Sequence, residues 1–262
     1  MSTLSLAVRD SSTMLRRNLL HMRRYPSMTL LLVGVPVITL LLFVYVFGGT
    51  LGAGLGPTGD RSQYANYVTP GILLITVASA AQGTAISVAM DMTEGIIARF
   101  RTMAIFRPSV LTGHVLGSLV QTLLSLAAVT GVALLVGFRP TANPVEWLAA
   151  IGVLSMITFA LAWLSVALGL VSDSVETASN LPMPLILLPF LGSGFVPTDS
   201  MPTAVRWFAD YQPFTPVMET LRGLLLGTGI GANGIIAVIW CVVISALSFL
   251  WAKTLYNRSR AT

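Results

Sequence analysis

The sequence predicts an all-α integral membrane protein with six transmembrane helices. Three observations lead there. The 262 residues are 55% hydrophobic and only 10% charged, with a mean hydropathy of +0.82, whereas an ordinary soluble domain carries roughly 25% charged residues. Uncharged runs reach twenty residues and more, about 30 Å as a helix, which is the thickness of a bilayer's hydrocarbon core. The charged residues are gathered between those runs instead of being spread along them. Length alone would allow one or two soluble domains, but the apolar runs override that expectation.

Two regions follow in chain order. Residues 1–27 carry Arg9, Arg16, Arg17, Arg23 and Arg24, with Leu4, Val8, Leu15, Leu19 and Met22 at helical spacing between them. This describes a basic amphipathic helix lying on an anionic membrane surface; a frayed basic tail that only sets topology fits the same residues. A cleaved signal peptide fits less well, because the apolar run beyond has spanning length. Residues 28–262 then hold the six spans.

The first span is 28–47, with Gly34 and Pro36 as kink sites. The glycine-rich stretch 48–59 lacks a lysine and follows a span, so it reads as a flexible loop instead of a phosphate-binding one. Residues 60–66 are its polar remainder. The second span is 70–90, where Gln82 is the most polar side chain, and the third is 109–136, with His114 near the interface. The fourth, 147–171, is introduced by Asn143, Pro144 and Glu146. The fifth, 181–196, is short and carries Pro182, Pro184 and Pro189; the carbonyls such prolines free must be satisfied by neighbouring helices in lipid, so this span faces protein. Residues 197–231 are too polar for a span and too apolar for an ordinary loop. They read as two short helices dipping into the membrane edge, broken over 212–216, a re-entrant pair ahead of the sixth span at 232–251.

The charged stretch 91–107 between the second and third spans holds Asp91, Glu94, Arg99, Arg101 and Arg107. If a helix starts at Thr93, the acids sit at its amino end and Arg99 and Arg101 toward its carboxyl end, as the helix dipole favours. Ile96, Ile97, Phe100 and Met103 then form an apolar face that can dock into a partner's cleft, which would also order so short a helix. A solvated loop that merely obeys the charge rule fits the same periodicity. Counting basic residues by side gives eleven with the termini and this loop against four on the other side, Arg61, Arg139, Arg206 and Arg222. The positive-inside rule therefore puts the termini and the loop in the cytoplasm.

Several chemistries are excluded or left without support. Lys253 is the only lysine, so a Walker-type phosphate loop cannot be present and this chain binds no ATP by that route. The arginine excess reports membrane orientation, with no nucleic-acid partner implied. Cys241 is alone, and the two histidines are 93 positions apart, which makes neither a disulfide nor a metal motif. Gly192-Ser193-Gly194 lacks the preceding glycine position and the later histidine of an intramembrane serine hydrolase. The six cores contain no Asp, Glu, Lys or Arg, whereas a proton-driven carrier usually keeps such a relay; His114 reads as an interfacial histidine bonded to a carbonyl. No catalytic residue and no metal site is identified.

At Glu94-Gly95-Ile96-Ile97-Ala98-Arg99-Phe100-Arg101-Thr102-Met103-Ala104-Ile105-Phe106-Arg107, followed by Val110-Leu111-Thr112-Gly113, the chain resembles the ABC-2-type permeases, close to their daunorubicin-resistance branch. Many members have proline where this chain has Ala104. A second matching piece runs from Phe195-Val196-Pro197 through Met201-Pro202, Trp207-Phe208 and Gln212-Pro213-Phe214-Thr215-Pro216 to Glu219-Thr220-Leu221-Arg222-Gly223-Leu224.

The resemblance implies a permease in a bacterial plasma membrane that pairs with a second permease copy or a paralogue and with two copies of a separate ABC-type ATPase. ATP and Mg would be used by that partner, with no cofactor bound by this chain. The loop would be a coupling helix, its interface made by Asp91, Glu94, Gly95, Ile97, Arg99, Phe100, Arg101 and Arg107. Pro197, Trp207, Pro213, Phe214, Pro216, Glu219 and Arg222 would form an outer re-entrant gate. Phe43, Tyr45, Gln82, Met90, Met183 and Phe190 are candidates to line a path for hydrophobic or amphipathic cargo, although each also fits ordinary helix packing. The function implied is export of such compounds, antibiotics foremost. Export of a lipid-linked glycan or lipid, an ion-coupled carrier, and a plain membrane anchor are the alternatives.

Overall fold

The apolar runs become long helices, and the computed structural model describes residues 13, 16, 26–53, 61–95 and 108–258. Helix α1 (Pro26–Leu41) passes through a π-helical stretch (Leu42–Phe47) into α2 (Gly48–Ala53). Then come α3 (Arg61–Thr93), α4 (Pro108–Val136), α5 (Pro144–Val171), the short α6 (Val175–Asn180) and α7 (Met183–Leu187), α8 (Thr203–Tyr211), α9 (Phe214–Leu226) and α10 (Asn233–Arg258). Among the described residues no strand occurs. Among the described residues five helices are long and apolar enough to cross a membrane: Leu30–Thr50, Arg61–Thr93, Val110–Val136, Pro144–Val171 and Asn233–Tyr256.

Three boundaries differ from the sequence reading, two through contacts with distant segments and one through local proline chemistry. Residues 48–53, expected as loop, are helical, and Gly48 packs against the start of α3, where a Cβ would meet Cγ of Arg61 at an ordinary contact distance of 3.4 Å. The polar residues 61–66, also expected outside a span, form the first turns of α3. There Ser62 Oγ donates to Gly137 O at 3.2 Å and Asn66 Oδ1 accepts from Arg139 N at 2.7 Å. Residues 181–196 form no continuous helix. Only Met183–Leu187 is helical, and the chain continues in turns past Pro189, because prolines remove donors and clash with the preceding turn. At the start of α5, Asn143 Oδ1 accepts from Glu146 N at 2.9 Å while Glu146 Oε2 accepts from Asn143 N at 2.7 Å, a reciprocal capping box.

Two apolar clusters show how the helices run. The larger joins Val44 to Tyr64 and Ile72 of α3, Val129 of α4, Leu154 of α5, Leu221 of α9 and Ala237 of α10. The smaller joins Val88, Val110, Val166 and Ala252. Late α3, early α4, late α5 and late α10 therefore share one end of the bundle. Early α3, late α4, early α5, α9 and early α10 share the other.

The broken segment travels between these ends beside α3. Ser179 O accepts from Gln82 Nε2 at 2.7 Å, while further on a Cβ on Gly71 would lie 2.9 Å from Gly194 O. Those two α3 positions are about 16 Å apart along the helix. Two glycines facing each other are what let a turn-rich segment lie directly on α3.

Candidate functional site

The loop stem comes first. Helix α3 ends at Thr93, Glu94 N donates to Met90 O at 2.9 Å, and Gly95 N donates to Met92 O at 3.1 Å with φ +69. That left-handed conformation is one glycine adopts at no steric cost and commonly stops a helix. The expectation of a helix starting at Thr93 is thereby corrected: Asp91 and Thr93 lie at the carboxyl end of α3, not at the amino end of a new helix. The cause is burial, since α3 keeps an inward face down to Asp91, which is 7% exposed. Glu94 is exposed and Gly95 half-buried. Ile97, Arg99, Phe100, Arg101 and Arg107 lie outside the described residues, as does most of the amphipathic helix expected over residues 1–27, of which Thr13, Arg16, Pro26 and Ser27 are described and helical.

Asp91 Oδ2 lies 3.1 Å from His114 Nε2, with side-chain exposures of 10% and 4%. Histidine therefore meets a carboxylate, not the carbonyl expected of it. Deeper between the same two helices Thr84 Oγ1 donates to Ser118 Oγ at 2.6 Å. The six span cores read from the sequence remain without charge; Asp91 lies just beyond the second of them, carried with Arg61 on the one continuous helix α3.

At the other end α8 and α9 meet at Gln212 and Pro213, one break as expected but two different environments. Helix α9 is buried in the bundle, with Phe214 and Leu221 fully enclosed. Helix α8 exposes Val205, Trp207, Phe208 and Tyr211, with the Trp207 and Tyr211 rings 5.3 Å apart. Its Arg206 pairs with Asp199 and, at 3.6 Å, with Asp210. Pro197 precedes the turn Thr198–Ser200, and Pro216 lies buried in the first turn of α9. Gln212 Nε2 clasps the break by donating to Leu188 O at 3.0 Å and to Thr215 Oγ1 at 3.3 Å.

Arg222 is the centre of this end. It is 8% exposed, pairs with Glu219, donates through Nη2 to Ser193 O at 2.8 Å and to Tyr67 O at 3.3 Å, and stacks 4.0 Å from the Tyr67 ring centroid. One guanidinium thus ties α9 to α3 and to the broken segment. Its Nε, with Gln212 Oε1 and Ser193 Oγ, is buried without a hydrogen-bond partner.

Of the six path candidates the structure brings together two. Phe43 and Phe190 have ring centroids 6.4 Å apart, and both contact Phe195, which lies 4.5 Å from Phe43 and is stacked on Phe190 at 4.6 Å and 7°. Tyr45 instead lies under Arg61, 5.1 Å from its guanidinium carbon. Gln82 holds Ser179, Met90 lies half-buried on the last turns of α3, and Met183 is exposed. Sequence reading noted Phe195 only as part of a longer matching piece; Phe190 is a near neighbour in the chain, but Phe43 comes from the far end of it. It also missed a shallow, open apolar groove between α5 and α10, lined by Met156, Phe159, Trp163, Cys241, Ser245 and Phe249, where Trp163 and Phe249 meet edge to face at 4.9 Å. Among the described residues no group of three or more His, Cys, Asp or Glu is placed to hold a metal.

Long apolar helices with polar ties at both ends and a proline-broken segment between them define a multi-span membrane protein. The pattern of the ABC-2 type transporter family matches residues 10–226, and the chain belongs to that family. It is 29% identical over 224 residues to the daunorubicin resistance ABC transporter permease protein DrrB1 of Streptomyces coeruleorubidus, covering 85% of this chain and 77% of that one. It is 23% identical over 222 residues to the probable doxorubicin resistance ABC transporter permease protein DrrC of Mycobacterium tuberculosis, covering 82% and 80%. To ABC transporter G family member 20 of Dictyostelium discoideum it is 29% identical over 196 residues, which are 72% of this chain and 26% of that protein. The chain is accordingly the non-catalytic membrane subunit of an ABC-type transporter, with ATP hydrolysis residing elsewhere.

Proposed function

We propose that this permease exports hydrophobic or amphipathic compounds, drug-like antibiotics among them, from a bacterial cell, driven by a separate ATPase subunit. The observation that carries the proposal is similarity over 82–85% of the chain to permeases named for daunorubicin and doxorubicin resistance. The working unit is two permeases, identical or paralogous, with two ATPase subunits. ATP binding draws those subunits together and moves the loop 94–107, tilting the helices so that a cavity between the permeases opens outward.

The bundle's polarity supports this arrangement. The stem of the arginine-bearing loop, the turn after α5 and the end of α10 lie at one end, the side that the positive-inside rule assigns to the cytoplasm. Six crossings result if the segment 181–196 counts as the fifth, its freed carbonyls covered by α3 and α9. The pair α8 and α9 is the outer re-entrant element, and the partly exposed rings of Phe43 and Phe190, packed on buried Phe195, offer an aromatic surface for apolar cargo. A second reading, proton coupling, draws on the buried Asp91 and His114.

Vesicles holding the permease and its ATPase decide between them. ATP-driven uptake of a fluorescent anthracycline, abolished in Arg101→Glu and Glu94→Arg variants that still assemble, supports the proposal. Uptake driven by a pH gradient without ATP overturns it in favour of the carrier.

A further inference from the structure

We infer that Asp91 and His114 are a positioning pair that fastens the two stems of the loop 94–107 together, so that a pull on the loop enters α3 and α4 as one hairpin. This rests on the reading of that loop as the coupling element, and gives Asp91 an internal role in place of a docking one. The two residues are 23 positions apart and lie on either side of the loop, in the last turn of α3 and the second turn of α4.

Asp91 is poorly placed for its own helix, since a carboxylate in the last turn opposes the helix dipole. It is also only 7% exposed, one helical turn from Val88 of the smaller apolar cluster, where an ionised side chain without a partner is costly. His114 answers both: Nε2–H donates to the carboxylate in the imidazolium and in the neutral tautomer that carries its hydrogen on Nε2. Thr84 and Ser118 make the next tie, about 10 Å deeper along α3. Trp163 and Val166 of α5 and Tyr256 of α10 close the same cluster, so a hairpin that moves as one body pushes directly on two further spans. Without the pair the stems could part at the loop and the pull would be spent in separating them.

Two measurements test this in the assembled transporter. In the first, spin labels on Thr93→Cys and Thr112→Cys report the distance between the stems. A single narrow distribution that broadens in Asp91→Ala and His114→Ala, and narrows again in the exchanged pair Asp91→His with His114→Asp, is expected. An unchanged width in the alanine variants overturns the pair as a fastener, whether or not the complex transports.

The second is substrate moved per ATP hydrolysed. It should fall about tenfold in the alanine variants while co-purification with the ATPase is kept, and recover in Asp91→Asn, which can still hydrogen-bond to the imidazole. Hydrolysis and transport falling in proportion would show a merely structural role. A wild-type complex with no ATP-driven transport would defeat the proposed function, and the stem distances would still decide the pair.

Discussion

Arg222 offers the sharpest test of the packing at the outer end. Arg222→Met keeps the length and apolar stem of the side chain but removes the charge that faces Glu219 and the donors to Ser193 O and Tyr67 O. Removing one partner of a buried pair costs about 3–5 kcal/mol. Glu219 keeps a side-chain exposure of 32% and can be rehydrated, so the lower part of that range applies, about 3 kcal/mol. Nε has no partner to lose, while losing the cation over the Tyr67 ring adds about 1 kcal/mol. At about 2 °C per kcal/mol for a chain of this size the apparent unfolding midpoint should drop by about 8 °C. The assay is the fraction of detergent-solubilised protein that remains monodisperse after fixed heating intervals, at one protocol for all variants because such midpoints depend on rate. Arg222→Lys, which keeps the charge but has no planar fork to span two carbonyls, should fall between. A methionine variant within about 2 °C of wild type, less than 1 kcal/mol on the same scale, would refute the view that this guanidinium ties α3, α9 and the broken segment together.

Other substitutions probe separate contacts. Gly71→Val should leave little folded protein in gel filtration, because its Cβ would meet Gly194 backbone atoms at 2.9–3.1 Å, whereas Gly83→Ala, with nothing within 4 Å, should leave the midpoint unmoved. Asn143→Ala removes the capping box of α5 and should cost about 1 kcal/mol, seen as a small drop in the same midpoint. Phe195→Ala empties the centre of the Phe43 and Phe190 cluster and should cost about 3 kcal/mol. If those rings also meet cargo, binding of a fluorescent anthracycline weakens in Phe190→Ala, where the half-open ring contributes less to stability.

The long apolar helices were plain in the sequence because hydropathy and length are properties of contiguous residues. The loop between α3 and α4 stood out for the same reason, as charge interrupting apolar runs. Prolines marked where 181–196 must break, since a missing N–H is local chemistry. The path of that broken segment was hidden: Gly194 meets Gly71 across more than a hundred residues, and nothing local marks either glycine for the other. Polar residues 61–66 were taken for loop because composition cannot foresee that Ser62 and Asn66 find partners at Gly137 and Arg139. Asp91 was assigned by its position beside other charges, yet its turn of α3 faces inward. His114 stood out as the one titratable side chain in a span, but its partner could not be named.

By itself the sequence determined that this chain lives in a membrane, where most of its long helices run, which side its arginines favour and, through its matching pieces, its family. The tertiary structure alone decided which faces turn inward, and so the pairs Asp91 with His114 and Arg222 with Glu219 and Tyr67, the Phe43, Phe190 and Phe195 cluster, and the extra turns of α3. The reason is physical. A helix in water advertises its buried side by an apolar stripe, but α4, α5 and α10 are apolar nearly all round, so hydrophobic periodicity carries no information about their rotation. Only packing against neighbours sets that rotation, and with it every contact made across the bundle.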